Sequence, residues 1–237
     1  MHQTIKPPEA SFPDVLDRDG VCLIPAICSD AHCDDLLAAL GQGADGAGSR
    51  CLLEHPAVRS MADHLRTHPQ LRPLMPTGAV AVQCSVFAKS PAINWSVAPH
   101  QDLSIPVAER VDDAACSGWS SKEGMVFTQP PASVLASLLA VRLQLDPDAA
   151  ATGPLQVLRG SHRWGRLPLS AIGSLWAHAE PMACVVPRGG VVALRPLTVH
   201  ASSKATRGGL RRVLHFLFGP PHLPLGLRWA RTHAPVA

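Results

Sequence analysis

Two short segments, about a hundred residues apart in the chain, carry the side chains that most constrain its fold. The first contains His100 and Asp102, and the second contains His200. Residues two positions apart project to the same side of an extended chain, so His100 and Asp102 can bind one ion together. Two imidazoles and one carboxylate form a facial triad that leaves three positions of an octahedral metal open. The sequence therefore predicts a fold that brings His200 to the strand of His100 and Asp102.

A His-x-Asp pair is weak evidence by itself, because the chain has 12 histidines and 18 acidic residues. A solvated surface pair explains it equally well. Arg211 strengthens the metal interpretation, since it follows His200 at the start of a stretch rich in strand-forming residues. A guanidinium binds a carboxylate through two parallel hydrogen bonds, so a dicarboxylate could reach from Arg211 to the metal.

The segment from Gly153 to Gly165 reads Gly-Pro-Leu-Gln-Val-Leu-Arg-Gly-Ser-His-Arg-Trp-Gly and resembles a motif of the phytanoyl-CoA dioxygenase-like enzymes. His100, Asp102, His200 and Arg211 fall in the order and spacing of that family. The resemblance extends from about residue 19 to residue 218, which is nearly the whole chain.

Two positions of the motif depart from the family pattern. Thr152 stands where many members have asparagine, and Arg159 stands where they have proline. Neither residue is a predicted ligand, so the departures bear on substrate contacts rather than on metal binding. His162, in the same motif, is expected to have a structural role.

The resemblance implies a mainly β fold with flanking helices, namely a double-stranded β-helix, the jelly-roll or cupin-like barrel. It also implies Fe(II) as cofactor, 2-oxoglutarate as cosubstrate and O2 as oxidant. His100, Asp102 and His200 are then the metal ligands and the catalytic centre. Arg211 is expected to bind the distal carboxylate of 2-oxoglutarate, and Ser202 is expected to hydrogen-bond the same group. The triad carboxylate favours hydroxylation over chlorination, because related halogenases have a small residue there.

Four further residues are expected near the ligands on weaker grounds. Gln83 could reach the cosubstrate, although a strand glutamine with a local partner explains it equally well. Trp95 could form a wall of the pocket, or be a packed loop aromatic. Arg50 follows a Gly/Ala-rich break at residues 41–49 and could close over substrate, but a solvated loop arginine is the stronger alternative. Trp119 could contact substrate from a lid.

That lid is predicted at residues 107–131, which are polar and without clear periodicity, as in an irregular insertion that covers the substrate. The rest of the chain has no internal repeat or linker, so residues 1–237 are expected to form one dioxygenase domain. Further elements are expected as follows: an extended N-terminal lead, a strand at 20–25, a helix capped at Ser29, a helix at 57–67, a strand at 79–88, a half-buried strand at 139–145 and a hairpin at 182–194.

Composition limits the partners of the protein. The net charge of +3 and the lack of Lys/Arg runs argue against nucleic acid. No segment is apolar and long enough for a membrane span, and the N-terminus has no signal pattern. Seven scattered cysteines without a CxxC pair indicate buried thiols in a reducing compartment, which favours the cytoplasm.

The sequence thus predicts an Fe(II)- and 2-oxoglutarate-dependent dioxygenase that hydroxylates a small metabolite and releases succinate and CO2. Two alternatives remain open. A zinc-dependent hydrolase could use the same three ligands, and a catalytically silent small-molecule-binding barrel is compatible with the same fold. The oligomeric state and the identity of the substrate are not encoded in any pattern that we recognise.

Overall fold

The structure, a computed structural model, describes residues 10–41, 49–147, 150–206 and 209–234. Most of the Gly/Ala-rich break, at residues 42–48, and the first nine residues lie outside this part. The described helices are α1 (Phe12–Asp19), α2 (Asp30–Leu40), α3 (Pro56–Thr67), α4 (Ala132–Ala136) and α5 (Leu169–Ala177). The strands are β1 (Val21–Ile24), β2 (Val80–Lys89), β3 (Val97–His100), β4 (Ile105–Val107), β5 (Ser117–Lys122), β6 (Met125–Gln129), β7 (Leu139–Gln144), β8 (Leu155–Val157), β9 (Met182–Cys184), β10 (Val191–Leu194), β11 (His200–Ser202) and β12 (Arg211–Gly219).

These strands form antiparallel sheets. The five-stranded sheet has the order β1-β10-β7-β12-β2, and the four-stranded sheet has the order β3-β11-β8-β9. A three-stranded sheet, β4-β6-β5, lies beside them. Side chains of both larger sheets line one cavity of about 910 Å³. This arrangement is the expected double-stranded β-helix, and the mainly β class with flanking helices is confirmed.

The five-stranded sheet is buried on both faces. One face packs against the helices through five side chains that are fully buried: Val86, Val141, Leu143, Leu214 and Phe216. Strand alternation turns the intervening residues of β2, β7 and β12 toward the cavity. The expectation that residues 139–145 have only one buried face is therefore wrong, because the second face is closed by the opposite sheet.

Helices α2 and α3 follow the predicted apolar spacing. Ser29 caps α2, with its hydroxyl accepting from the backbone N–H of His32. Four residues of α3 are buried, as their spacing predicts: Val58, Met61, Ala62 and Leu65. Because these faces cover the outer side of the five-stranded sheet, they stabilise the barrel without contributing to the cavity.

Residues 12–19 of the N-terminal lead are helical rather than extended. Helix α1 begins at a capping box in which Ser11 and Asp14 bind each other's backbone N–H, and Pro13 lies in its first turn. It ends at Gly20, whose φ of 73° allows the left-handed cap. The signals were present in the sequence, but the helix has only eight residues and buries only Leu16 completely.

The predicted hairpin at 182–194 is also not formed. Strand β9 pairs with β8, whereas β10 pairs with β1 and β7, so the two strands belong to different sheets. The turn between them crosses from one sheet to the other. Gly189 has a φ of 75°, and a Cβ atom there would lie 2.1 Å from the carbonyl oxygen of Cys28. A turn signal between two apolar runs does not distinguish a hairpin from such a crossover.

The segment 107–131 is more regular than expected. Strands β5 and β6 form a hairpin within it, and β6 also pairs with β4. The hydroxyl of Thr128 binds the carbonyl oxygen of Ser117, which ties the two strands together. Lys122, Phe127 and Gln129 of this hairpin line the cavity. The polar outer face of the hairpin obscures its strand periodicity in the sequence.

The cysteines agree with the prediction of buried thiols. All seven cysteines are free, and Cys51 is the one that is not fully buried. Among the described helices, none has the length and apolar character required to cross a bilayer.

Candidate metal centre

His100, Asp102 and His200 meet at the cavity, although a hundred residues separate the two histidines. Strand β11 pairs with β3 so that His200 lies directly opposite His100. The Oδ1 atom of Asp102 is 3.7 Å from Nε2 of His100, and its Oδ2 atom is 3.7 Å from Nε2 of His200. Because the three potential ligand atoms converge, these residues could hold a metal ion.

Backbone hydrogen bonds orient both imidazoles. The Nδ1 atom of His100 lies 2.8 Å from the carbonyl oxygen of Ala98, and Nδ1 of His200 lies 2.8 Å from that of Thr198. A carbonyl oxygen can only accept, so each Nδ1 carries a proton and the neutral ring keeps its lone pair on Nε2. Both lone pairs therefore belong to the nitrogens nearest to Asp102.

The charges of the three groups suit a divalent cation. Burial lowers the pKa of His200 to about 4, so this imidazole is neutral at pH 7. Burial would raise the pKa of Asp102, but the neighbouring His200 and His100 hold it well below its usual range. A carboxylate between two imidazole nitrogens is the donor set that Fe(II) and Zn(II) accept.

A third histidine approaches the same carboxylate but does not offer a lone pair. Nε2 of His215 lies 4.0 Å from Oδ2 of Asp102, while its Nδ1 lies 3.1 Å from Nη1 of Arg142. A guanidinium can only donate, so Nδ1 accepts and the proton of the neutral ring is on Nε2. Burial, followed by the charge of Arg142, lowers the pKa of His215 to about 3. His215 thus lines the cavity as a neutral donor, with the same orientation as Arg211.

Gln101, between two of the predicted metal ligands, anchors the metal-binding segment to neighbouring loops. Its side-chain amide donates to the carbonyl oxygens of Gly165, at 2.8 Å, and Leu197, at 2.7 Å. Its Oε1 accepts from the backbone N–H of Leu167 at 2.8 Å. Gln101 also lines the cavity, and its three hydrogen bonds join the segment to two loops. The sequence offered no signal for this role.

Arg211, the predicted cosubstrate anchor, is buried, and one of its N–H groups has no acceptor among the described residues. Arg211 is 5% exposed, and its Nε has no hydrogen-bond partner among the described residues. Ser202 lies in the same region, where its hydroxyl binds Nζ of Lys89 at 3.2 Å. Lys89 also donates a short hydrogen bond to the carbonyl oxygen of Ser203. An anion at this end of the cavity would satisfy the buried guanidinium.

Lys89 was missed in the sequence, although its strand shows the signal. Gln83, Ser85, Phe87 and Lys89 alternate along β2, and all four line the cavity. Burial lowers the pKa of Lys89 to about 8, and the charges of nearby arginines contribute. Arg142 was also missed, although it is the one charged residue of β7. A cation within an apolar strand is a signal for a site when both faces of that strand are buried.

The remaining predicted residues have different environments. Gln83 lines the cavity and donates to the hydroxyl of Ser85 at 3.0 Å. It therefore has a local hydrogen-bond partner, as expected for an ordinary strand glutamine. Trp95 lines the cavity, with Nζ of Lys89 5.8 Å from its ring centre. Arg50 also lines the cavity, but its guanidinium is paired with Glu123 at 3.2 Å.

Trp119, a predicted substrate contact, is not among the residues that line the cavity. Its ring lies 5.6 Å from the guanidinium carbon of Arg110 instead. His162 is also remote from the cavity; a Cβ atom at Gly20 would lie 2.4 Å from its Nδ1, which places it at the end of α1.

A second group with metal-ligand atoms joins α2 to α3 outside the cavity. It consists of Cys28, His32 and His64. The thiol of Cys28 contacts the sulfur of Met61 at 3.7 Å, and Nε2 of His64 lies 3.0 Å from the carbonyl oxygen of Ile27. These contacts are explained by packing between the two helices. The group that lies in the cavity is the triad of His100, Asp102 and His200.

A sequence model of the phytanoyl-CoA dioxygenase (PhyH) family matches residues 16–213. The chain belongs to this family. It is therefore a non-haem Fe(II)- and 2-oxoglutarate-dependent oxygenase, with Fe(II), 2-oxoglutarate and O2 as the requirements of the family. No curated protein matches the chain at a significant level.

Solved structures share the fold of this PhyH-family enzyme. The epimerase SnoN from nogalamycin biosynthesis is 16% identical, with a TM-score of 0.61 and coverage of 95% of this chain and 94% of SnoN. The carbocyclase SnoK from the same biosynthesis is 16% identical, with a TM-score of 0.62 and coverage of 90% and 86%. HygX from Streptomyces hygroscopicus, solved with nickel and 2-oxoglutarate bound, is 14% identical, with a TM-score of 0.58 and coverage of 88% and 86%.

Proposed function

We propose that the enzyme hydroxylates a C–H bond of a small metabolite, with His100, Asp102 and His200 as the ligands of Fe(II). The overall reaction converts substrate, 2-oxoglutarate and O2 into the alcohol, succinate and CO2. The observation that carries the assignment is the convergence of two Nε2 lone pairs and an ionised carboxylate in one cavity. Bound iron supplies the redox chemistry that couples decarboxylation of 2-oxoglutarate to oxidation of the substrate.

The donor set and the cation cluster together fit the cofactor and the cosubstrate. Arg211, Lys89 and Ser202 would hold the distal carboxylate, because the buried Nε of Arg211 lacks a partner in the described part of the chain. Gln83 is proposed to contact the cosubstrate from β2, and Trp95 is proposed to contact substrate at the wall of the cavity. The protein contributes orientation and exclusion of water rather than an acid or base.

The β4-β6-β5 sheet is proposed to cover the bound substrate. Phe127 and Gln129 present their side chains to the cavity, and the ion pair of Arg50 with Glu123 joins the tip of the hairpin to the segment before α3. Residues 1–237 are proposed to act as one dioxygenase domain. The free cysteines support a reducing compartment, so we place the enzyme in the cytoplasm.

Anaerobic addition of Fe(II) and 2-oxoglutarate tests the assignment. A metal-to-ligand charge-transfer band in the visible spectrum is expected, and it should be lost in a His200→Ala variant. A zinc hydrolase or a silent binding barrel would show no such band. Product analysis after turnover in chloride buffer then separates hydroxylation from chlorination, because only the first adds oxygen to the substrate.

A further inference from the structure

The cavity of the enzyme contains far more positive than negative charge. Asp102 is the single carboxylate among the described residues that line it. Six lining residues are cationic: Arg50, Lys89, Lys122, Arg142, Arg166 and Arg211. Arg50 is neutralised by Glu123, and Lys122 and Arg166 are exposed to water. The buried cations Lys89, Arg142 and Arg211 are therefore the ones whose charge requires an explanation.

The proposed cofactor and cosubstrate do not balance these three buried charges. Fe(II), the Asp102 carboxylate and the 2-oxoglutarate dianion together carry one negative charge. Lys89, Arg142 and Arg211 carry three positive charges at pH 7, so the loaded site keeps an excess of two. Since a buried charge is costly without a counter-ion, the loaded site favours a further anion.

Arg142 is the third buried cation, and it lies on a different strand from the two proposed anchor cations. Arg211 and Lys89 lie opposite each other on β12 and β2, whereas Arg142 lies opposite His215, four residues further along β12. Four residues correspond to roughly 13 Å along a strand, so the backbone of Arg142 lies away from the backbones of Lys89 and Arg211, although its charge still acts on both. Its Nη1 binds the neutral His215, and no carboxylate pairs with its guanidinium in the described part of the chain.

The contacts of Arg142 hold the guanidinium ready for a ligand. The ring of Phe87 lies 5.2 Å from its guanidinium carbon, and Nη1 binds His215 at 3.1 Å, so the planar group is supported on one side and one edge. A planar guanidinium held in this way binds a carboxylate through two parallel hydrogen bonds. The same cavity is also lined by apolar side chains, among them Leu103, Leu135 and Leu155.

From these observations we infer that the primary substrate is an organic acid with an apolar body, and that Arg142 binds its carboxylate. This inference rests on the proposed function, because it assumes that iron and 2-oxoglutarate occupy the rest of the cavity. Arg142 is then a substrate-binding residue that selects anions over neutral molecules. The substrate would reach the metal with its charged end toward β7 and its apolar body against the leucines.

A matched pair of probes tests the inference. We would titrate 1-naphthoate and its neutral counterpart 1-naphthamide into the anaerobic enzyme, with Fe(II) and saturating 2-oxoglutarate, and measure binding by calorimetry. The acid should bind about tenfold more tightly than the amide, as expected for a charge-assisted bidentate pair. Arg142→Gln should remove this preference, and Arg142→Lys should retain part of it. Arg166→Gln, at an exposed cavity cation, should leave the preference unchanged.

The charge-transfer band of the same samples distinguishes a failure of the Arg142 inference from a failure of the proposed function. A normal band together with equal binding of acid and amide would overturn the inference alone. An Arg142→Gln variant that weakens 2-oxoglutarate binding as much as naphthoate binding would also overturn it, since Arg142 would then belong to the cosubstrate. A wild-type enzyme without the band would overturn the proposed function and the inference together.

Discussion

Lys89 and Arg211 lie directly opposite each other where β2 pairs with β12, so two buried cations share one end of the cavity. Burial, followed by the charges of Arg211 and Arg142, lowers the pKa of Lys89 to about 8. Arg211 stays charged, because even its lowered pKa, about 10, is well above neutrality. The charge of this end of the cavity therefore depends on pH through Lys89.

We predict that the affinity for 2-oxoglutarate falls as the pH rises through about 8. Below this pH Lys89 is protonated and attracts the dianion, whereas above it the neutral amine does not. Titrating the charge-transfer band from about pH 6.5 to about pH 9.5 measures this dependence. Lys89→Arg should keep high affinity over the whole range, since a guanidinium does not lose its proton. Lys89→Met should bind weakly at every pH, and a Lys89→Met variant with the wild-type profile would contradict the assignment.

Removing one ligand of the triad should abolish iron binding at stoichiometric concentrations. Asp102→Ala leaves two neutral imidazoles without the carboxylate that offsets the metal charge, so both iron content and turnover should be lost. Iron analysis after anaerobic reconstitution measures the first effect. His178→Ala is the matched control, because this exposed histidine lies outside the cavity. Full activity of Asp102→Ala would refute the ligand assignment.

Gln101 should be required to position His100 and Asp102, although it is not itself a predicted metal ligand. Gln101→Glu is nearly isosteric, but it cannot donate to the carbonyl oxygens of Gly165 and Leu197. The loss of two hydrogen bonds, together with repulsion between the new carboxylate and the two carbonyl oxygens, should lower the free energy of unfolding by about 3 kcal/mol. Iron affinity should fall as well, while the charge-transfer band of the remaining complex keeps its position. A denaturant titration that gives wild-type stability would show that the hydrogen bonds of Gln101 are dispensable.

Gly153 should tolerate no side chain because the chain just after β11 passes close to it. Its φ is 74°, and a Cβ atom there would lie 2.2 Å from the carbonyl oxygen of Ser203 and 3.0 Å from Nζ of Lys89. Gly153→Ala should therefore cost about 1 kcal/mol for the left-handed backbone and roughly 1–3 kcal/mol more for the collision. It should also weaken 2-oxoglutarate binding by displacing Lys89.

Gly226→Ala is the matched control for that substitution. Gly226 has a similar φ of 67°, but a Cβ atom there would meet no atom within 4 Å. Only the backbone cost of about 1 kcal/mol is expected, with unchanged cosubstrate affinity. Thermal unfolding of the two variants separates the collision from the cost of the backbone conformation. Equal stabilities would mean that the Gly153 segment can move aside.

The sequence by itself was sufficient for the elements whose signals are local. The spacing of apolar residues predicted α2 and α3, and the runs of strand-forming residues predicted β2 and β12. The Gly-Pro-Leu motif and the order of His100, His200 and Arg211 were enough to identify the family. Such signals are readable in the chain because each depends on residues that are close together or on a motif with a fixed order.

The tertiary structure decided what depends on partners far away in the chain. Strands β9 and β10 belong to different sheets because each pairs with a strand remote from the turn between them. Likewise, Lys89 and Arg142 are cations of the cavity only because β2, β12 and β7 are neighbours in one sheet. Strand alternation places a side chain on one of two faces, but only the packing of the sheets determines which face encloses the cavity.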